Sequence, residues 1–144
     1  MKKVLFLFFL TFDFIFANSL GLSKTDLIVL NKIKSLADEP IMKYSLMAIA
    51  IKETSVGKNM ANFQSNDFGL FQSNIKTVLS RQYISDTPAN RKYFALRLMN
   101  DVGFATANAI IELEYWSEVH KDNWIKIWSS YNTGFSYRSD TGFL

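Results

Sequence analysis

Two carboxylates pose the first question. In the stretch IAIKETSVGKNMANFQSNDFGLFQSN, residues 49–74, Glu53 closes an apolar run and Asp67 stands in a polar loop just before Gly69. Breaking a glycosidic bond at neutral pH needs a carboxylic acid that desolvation keeps protonated, so that it can deliver a proton to the leaving oxygen. Glu53 is the best-placed acid of the chain: it ends an apolar helix face, and small residues follow it and leave room for a ligand. Glu112, Glu114 and Glu118 share one long helical pattern with Tyr and Trp residues, and the spacing of Glu114 and Glu118 reads as a solvated face. Asp67, as a second working acid, would serve as nucleophile or cation stabiliser. The alternative for Asp67 is a loop acid that caps the backbone amides of FGLFQ.

The elements that must position these groups are mostly helical. Ser23 to Asp26 reads as a capping box with Asp in place of Glu, and Leu27, Leu30, Ile33 and Leu36 recur behind it at helical spacing. Pro40 opens a second helix, Ile41, Tyr44, Met47, Ala48 and Ile51 give it an apolar face leading to Glu53, and Gly57 ends it. Residues 58–68, rich in Asn, Ser, Gln and Asp, read as an irregular or hairpin-like loop. NIKTVLSRQYI and PANRKYFALRLMND read as helices separated by an SDTP turn. DVGFATANAIIELEYWSEVH gives the longest helix, with alanines at close-packing positions, and NWIKIWSSYN a last short one. The expected fold is mainly α, of α+β type: a single compact helical domain with a substrate groove and at most a small β element.

Composition narrows the function classes. The chain has 144 residues, 49% of them hydrophobic and 20% charged, which suits one folded domain and neither two domains nor a disordered chain. Residues 1–17, MKKVLFLFFLTFDFIFA, run from two lysines through an apolar stretch to Ala17, the order of a secretory signal peptide too short for a comfortable membrane span. Asp13 is a defect in that pattern, and the alternatives are an uncleaved anchor or a buried first helix. Cleavage after Ala17 leaves residues 18–144 as the domain and lowers the formal charge from +3 to +2. A mildly basic chain without a basic cluster suits an anionic cell-wall polymer and does not point to nucleic acid. There is no cysteine, so no disulfide, and the single His120 has no companion that would suggest a metal.

Three segments taken in order resemble the lytic transglycosylases of the soluble, lysozyme-like family. That family's pattern is a catalytic Glu followed closely by Ser, a Gly-Leu-Met-Gln segment downstream, and an Ala-Tyr-Asn-Ala-Gly segment near the end. Here stand Glu53-Thr54-Ser55, Gly69-Leu70-Phe71-Gln72 and Ser130-Tyr131-Asn132-Thr133-Gly134. An intermediate family segment is echoed in length more than identity at Asp101-Val102, Ala105-Thr106, Ala109 and Glu112-Leu113. The segment SNDFGLFQSN also resembles a lysozyme loop in which the Asp is the second catalytic acid. Within the family the chain looks most like the small muramidases that serve secretion systems and pili.

The resemblance implies a lysozyme-like fold and cleavage of the bond between N-acetylmuramic acid and N-acetylglucosamine in peptidoglycan. It assigns catalytic roles to Glu53 and, if the lysozyme-type loop is functional, Asp67. Glu53 would protonate the glycosidic oxygen, then take the proton from the muramoyl C6 hydroxyl as a 1,6-anhydro ring closes. Ser65, Phe71, Gln72, Tyr131 and Asn132 would bind substrate, with Tyr131 also holding Glu53 in place. No cofactor is implied, since an acid and a shaped groove suffice. The implied partners are glycan strands and an envelope-spanning secretion or pilus machine, with a monomeric protein in the periplasm or outside the cell. Two alternatives stay open: a lysozyme-type hydrolase using Glu53 and Asp67, and a glycan-binding assembly protein without turnover. Ser73 departs from the family's apolar residue after Gln72, and the family's further groove-lining helix after Gly134 is not matched.

Overall fold

The computed structural model describes residues 21–138. The expected leader, residues 1–17, lies outside them, as do residues 139–144. Among the described residues the order is α1 (Lys24–Lys34), α2 (Pro40–Thr54), β1 (Ala61–Asn62), β2 (Asp67–Phe68), β3 (Ser73–Asn74), α3 (Ile75–Arg81), α4 (Pro88–Asn100), α5 (Val102–His120), α6 (Trp124–Thr133) and a 3-10 turn (Gly134–Arg138). The protein is mainly α with one small antiparallel sheet, in which β2 lies between β1 and β3.

Helix starts follow side-chain chemistry visible in the sequence. At α1, Ser23 Oγ accepts from the Asp26 N–H at 3.1 Å while the Asp26 carboxylate accepts from the Ser23 N–H at 2.8 Å, the reciprocal pair of a capping box. These hydrogen bonds, the backbone one foremost, hold the Asp26 carboxyl below the usual carboxylate range. Pro40 and Pro88 occupy first-turn positions of α2 and α4. Asn74, Thr87, Asp101 and Asn123 each cap the next helix by accepting a backbone N–H.

Helix α5 is the central element and touches α1, α2, α4, α6 and β3. Ala105 and Ala109, both buried, let neighbouring backbones come close, and Leu113 completes that face. Around it Ile33, Leu46, Ile75, Leu79, Leu98 and Ile127 form the core. Side-chain bonds to α5 and α2 help tie α6 into place. His120 on α5 meets Ser130 Oγ through Nε2 at 2.7 Å, and the Trp128 indole N–H donates to Ser45 Oγ on α2 at 2.8 Å.

Helix α2 differs from its sequence reading in two ways. Of the face assigned from Ile41, Tyr44, Met47, Ala48 and Ile51, Met47 and Ile51 pack partly buried against the core but Ile41, Tyr44 and Ala48 are exposed, whereas Ser45, Leu46, Ile49 and Ala50 are buried. An apolar helix with so little polar contrast has no unique phase, and contact with α1 and α5 selects the buried face. Gly57 also does not end the helix. It stops at Thr54, where Ser55 turns left-handed at φ 50°, and the N–H groups of Ser55 and Val56 close back on Ile51 and Ala50. The Ser55–Ile51 bond is that of an αL closure with Ser in the glycine position, a wider bond runs from Val56 to Ala50, and the Val56 side chain is buried.

Candidate active site

The end of α2 aims Glu53, and Thr54 fixes that end. Thr54 is 1% exposed, and its hydroxyl proton is shared between the carbonyls of Ala50 at 3.1 Å and Leu70 at 3.0 Å. The same oxygen accepts from the Gly57 N–H at 3.0 Å. One side chain thus fastens the acid-bearing helix to the segment Gly69–Gln72, sixteen residues on. The turn between them runs through three left-handed residues in succession, Ser55, Val56 and Gly57 (φ 50°, 60° and 95°). In a β-branched residue such as Val56 that conformation is strained, and it persists because the surrounding bonds determine it.

Gly69 sets the height of the opposite wall. Its φ is +81°, and a Cβ built there would stand 2.5 Å from the Leu98 carbonyl oxygen of α4. Only glycine lets the chain pass so close to α4 while its N–H donates to the Met60 carbonyl at 2.8 Å. Phe68, Leu70 and Phe71 follow the same path into the core. Gln72, at φ 49°, then turns the backbone outward into β3.

The result is a cleft of about 270 Å³ lined by Glu53, Asp67, Gln72, Asn74, Arg81 and Glu112 among others, with Phe71 and Tyr131 in its wall. Glu53 has a side-chain exposure of 21%, and burial raises its carboxyl above the ordinary glutamate range. Lys52, whose ammonium is 3.9 Å from Glu53, pulls the other way, and the Asp67 charge adds to the rise. An acid that resists ionisation is what proton delivery requires.

Asp67 lies on β2, paired across the ladder with Asn74 on β3. Its Oδ1 accepts from the Asn74 side-chain amide at 2.9 Å, and the same amide donates to the Ser65 carbonyl at 3.1 Å. Among the described residues Asp67 accepts no backbone amide of FGLFQ, so the capping alternative does not describe it. Ser65 is exposed at the hairpin tip and is not among the residues lining the cleft; its contribution is the carbonyl that orients Asn74. Gln72 lines the cleft, with its amide turned to the Gly69 carbonyl at 3.2 Å and the Asn59 carbonyl at 3.4 Å. Phe71 is 1% exposed and is first a core residue, forming part of the wall. Tyr131 donates its hydroxyl to the Phe71 carbonyl at 3.1 Å. Burial, with the charges of Glu112 and Glu53 behind it, raises the Tyr131 hydroxyl above its ordinary range, so it remains a donor. Asn132 is exposed at the rim.

The sequence did not single out the pair that closes the far wall. Arg81, the last residue of α3, forms an ion pair with Glu112 on α5 and reaches the Asn108 carbonyl at 3.4 Å. The second Glu112 oxygen accepts from the Trp116 indole N–H at 2.7 Å. With both oxygens engaged, Glu112 is fixed as a wall group, whereas Asp67, which also lines the cleft, accepts its one side-chain bond through Oδ1. The signal available was the Glu112–Trp116 spacing of one helical turn; the arginine, 31 residues earlier, had no local mark. Glu114 and Glu118 are exposed, as their spacing indicated. No group of His, Cys, Asp or Glu side chains among the described residues is arranged to hold a metal ion.

No family model matches the chain. No solved structure matches it either. An uncharacterized 20.7 kDa protein from the vs-regB intergenic region of Enterobacteria phage T4 is 28% identical over 100 residues, 68% of this chain and 54% of the phage protein. The chain therefore spans about half the length of that relative.

Proposed function

We propose that the protein is a peptidoglycan lytic transglycosylase, with Glu53 as the general acid and then the general base. The observation that carries this reading is the setting of Glu53: a carboxyl that burial raises above the ordinary glutamate range, opening onto a polar cleft. Proton transfer to the glycosidic oxygen leaves positive charge on the sugar ring, and Asp67, which lines the same cleft, meets it. The ionised Glu53 then takes the proton of a sugar hydroxyl that attacks the same carbon. The order of the Glu-Thr-Ser, Gly-Leu-Phe-Gln and Tyr-Asn-Thr-Gly segments supports the substrate class, and the three meet around one cleft through the Thr54–Leu70 and Tyr131–Phe71 bonds.

A lysozyme-type hydrolase is the second reading, favoured by one observation: Asp67 lines the same cleft closely enough to raise Glu53. There a water attacks the sugar carbon, or hydrolyses a glycosyl ester on Asp67. The presence of a leader and an envelope location belong to the same proposal, as does a secretion or pilus machine as partner. The test is incubation of residues 18–144 with purified sacculi. Soluble muropeptides released by the wild type and absent with Glu53→Gln support the enzyme; a folded wild type that releases none refutes it.

A further inference from the structure

The two helices joined at Asp101 each leave one side open. On α4 the exposed positions are Ala89, Lys92, Tyr93, Leu96, Arg97 and Asn100, and on α5 they are Ala107, Ile111, Glu114, Tyr115, Glu118 and Val119. Both sets recur every three or four residues, so each is a single stripe along its helix. Their large apolar members, Tyr93, Leu96, Ile111, Tyr115 and Val119, are 40–59% exposed. Single apolar side chains on a surface are ordinary, whereas stripes of them over about three turns of two adjoining helices mark a contact surface. The stripes differ in charge: that of α4 carries Lys92 and Arg97 and no acid, that of α5 Glu114 and Glu118 and no base. Arg97 is engaged at the seam, 3.7 Å from Asp101 and with its guanidinium 4.0 Å from the centre of the Phe104 ring. Phe104 stands seven residues before Ile111, on the same side of α5, so the two stripes adjoin there. Lys92, Glu114 and Glu118 form no ion pair among the described residues. The exposed tyrosines are held in place, Tyr93 edge-on to Phe94 at 5.1 Å and Tyr115 edge-on to Trp116 at 5.0 Å. A ring fixed before contact loses little freedom on binding and suits an interface anchor.

We propose that this surface binds a second copy of the chain across a two-fold axis, the basic α4 stripe of each copy lying on the acidic α5 stripe of the other. The family resemblance implies a monomer; the pairing stands apart from it and from the reading of the cleft. A two-fold contact is made twice, with residue i on j and j on i, so a surface that carries both complementary halves satisfies itself. Laying α5 on α5 would bring Glu114 and Glu118 against their own kind, and laying α4 on α4 would do the same for Lys92. The crossed arrangement sets opposite charges at the rim and leaves the tyrosines and aliphatic side chains to bury one another at the centre.

The experiment uses the full chain as purified from the expressing host, at about 50 mM salt, where exposed charges are only partly screened. Sedimentation equilibrium of the wild type is expected to show a concentration-dependent dimer. Glu114→Lys with Glu118→Lys makes the α5 stripe basic, and Lys92→Glu removes the base from the α4 stripe and puts an acid there. Each of these two variants alone is expected to dimerise at least about tenfold more weakly, because like charges then meet at both contacts. Mixed one to one, they are expected to pair with an affinity within about threefold of wild type, since the mixed pair has opposite charges at both contacts. Tyr115→Ser, which removes an anchor and no charge, is expected to weaken the dimer at least about tenfold as well. Every substituted position is exposed, and circular dichroism checks that each variant is folded. A wild type that stays monomeric at about 1 mM overturns the proposal and leaves the stripes to a different protein. A dimer that both charge reversals leave unchanged lies on another face and overturns it too. A dimer that survives Lys92→Glu and strengthens with the glutamate reversals pairs α5 with α5, and variants that weaken singly yet fail to pair when mixed do not use the crossed contact; either result overturns the arrangement.

Discussion

Replacing Gly69 by alanine tests the geometry of the cleft wall, because structure dictates both the sign and the size of the effect. Two costs combine. The backbone at φ +81° is left-handed, which costs an L-residue about 1–2 kcal/mol. The added methyl would stand 2.5 Å from the Leu98 carbonyl oxygen and 2.9 Å from its carbon, both backbone atoms of α4 that cannot rotate away. Forcing a methyl into such a contact typically costs a further ~1–3 kcal/mol. The expected loss is about 2–5 kcal/mol of a total near 5–15 kcal/mol, or roughly 10–20 °C in Tm. Gly103→Ala serves as the control: at the start of α5 its Cβ meets only an Asp101 carboxylate oxygen, at 3.3 Å, and helix propensity makes the change neutral or slightly stabilising. Urea unfolding followed by circular dichroism measures both. A Gly69→Ala chain within about 0.5 kcal/mol of wild type, a size usual for inconsequential surface changes, would show that the loop does not cross α4 as described.

Other perturbations address the site itself. Thr54→Val keeps the shape but leaves the Leu70 carbonyl and the Gly57 N–H without their buried partner, so an unfolding midpoint lower by about 1–3 kcal/mol is expected, with Thr54→Ser restoring most of it. Glu53 binds its proton more tightly in the folded chain than in the unfolded one. Its ionisation therefore erodes stability as pH rises from near 4.5, the ordinary glutamate value, through the higher folded value. Glu53→Gln should consequently be more stable than wild type at pH 7 and equal to it below about pH 4, as urea midpoints at the two pH values would show. Glu112→Gln removes the charge that holds Arg81; with the pair 22% and 26% exposed, a loss of about 1–3 kcal/mol is expected. A double-mutant cycle with Arg81→Met should return a coupling energy of at least ~0.5 kcal/mol.

The helices were legible because their boundaries are written in local chemistry. Ser23 and Asp26 announce α1, Pro40 and Pro88 open α2 and α4, and the polar run after Glu53 becomes the hairpin that carries Asp67. Phase along α2 was not legible: Ile41 and Ala48 are as apolar as Leu46 and Ile49, and only the tertiary contacts of α1 and α5 tell them apart. The stop at Ser55 was hidden for a related reason, since a serine takes the left-handed position that sequence assigns to glycine, held there by the Thr54 hydroxyl. Of the site, Glu53, Asp67, Gln72, Tyr131 and Asn132 meet at the cleft. Ser65 stays at the hairpin tip because the turn that pairs Asn62 with Asp67 points it outward. The Arg81–Glu112 wall joins two helices across 31 residues, and no periodicity within either helix reveals such a pair.

Product mass tests the central claim most directly. Sacculi digested by residues 18–144 are separated, and the soluble fragments of wild type, Glu53→Gln and Asp67→Asn are weighed. The proposed transglycosylase yields anhydro-muropeptides, lighter by one water than their reducing counterparts, with wild type and Asp67→Asn and none with Glu53→Gln. Reducing-end fragments that disappear with either substitution would contradict it and establish the two-carboxylate hydrolase.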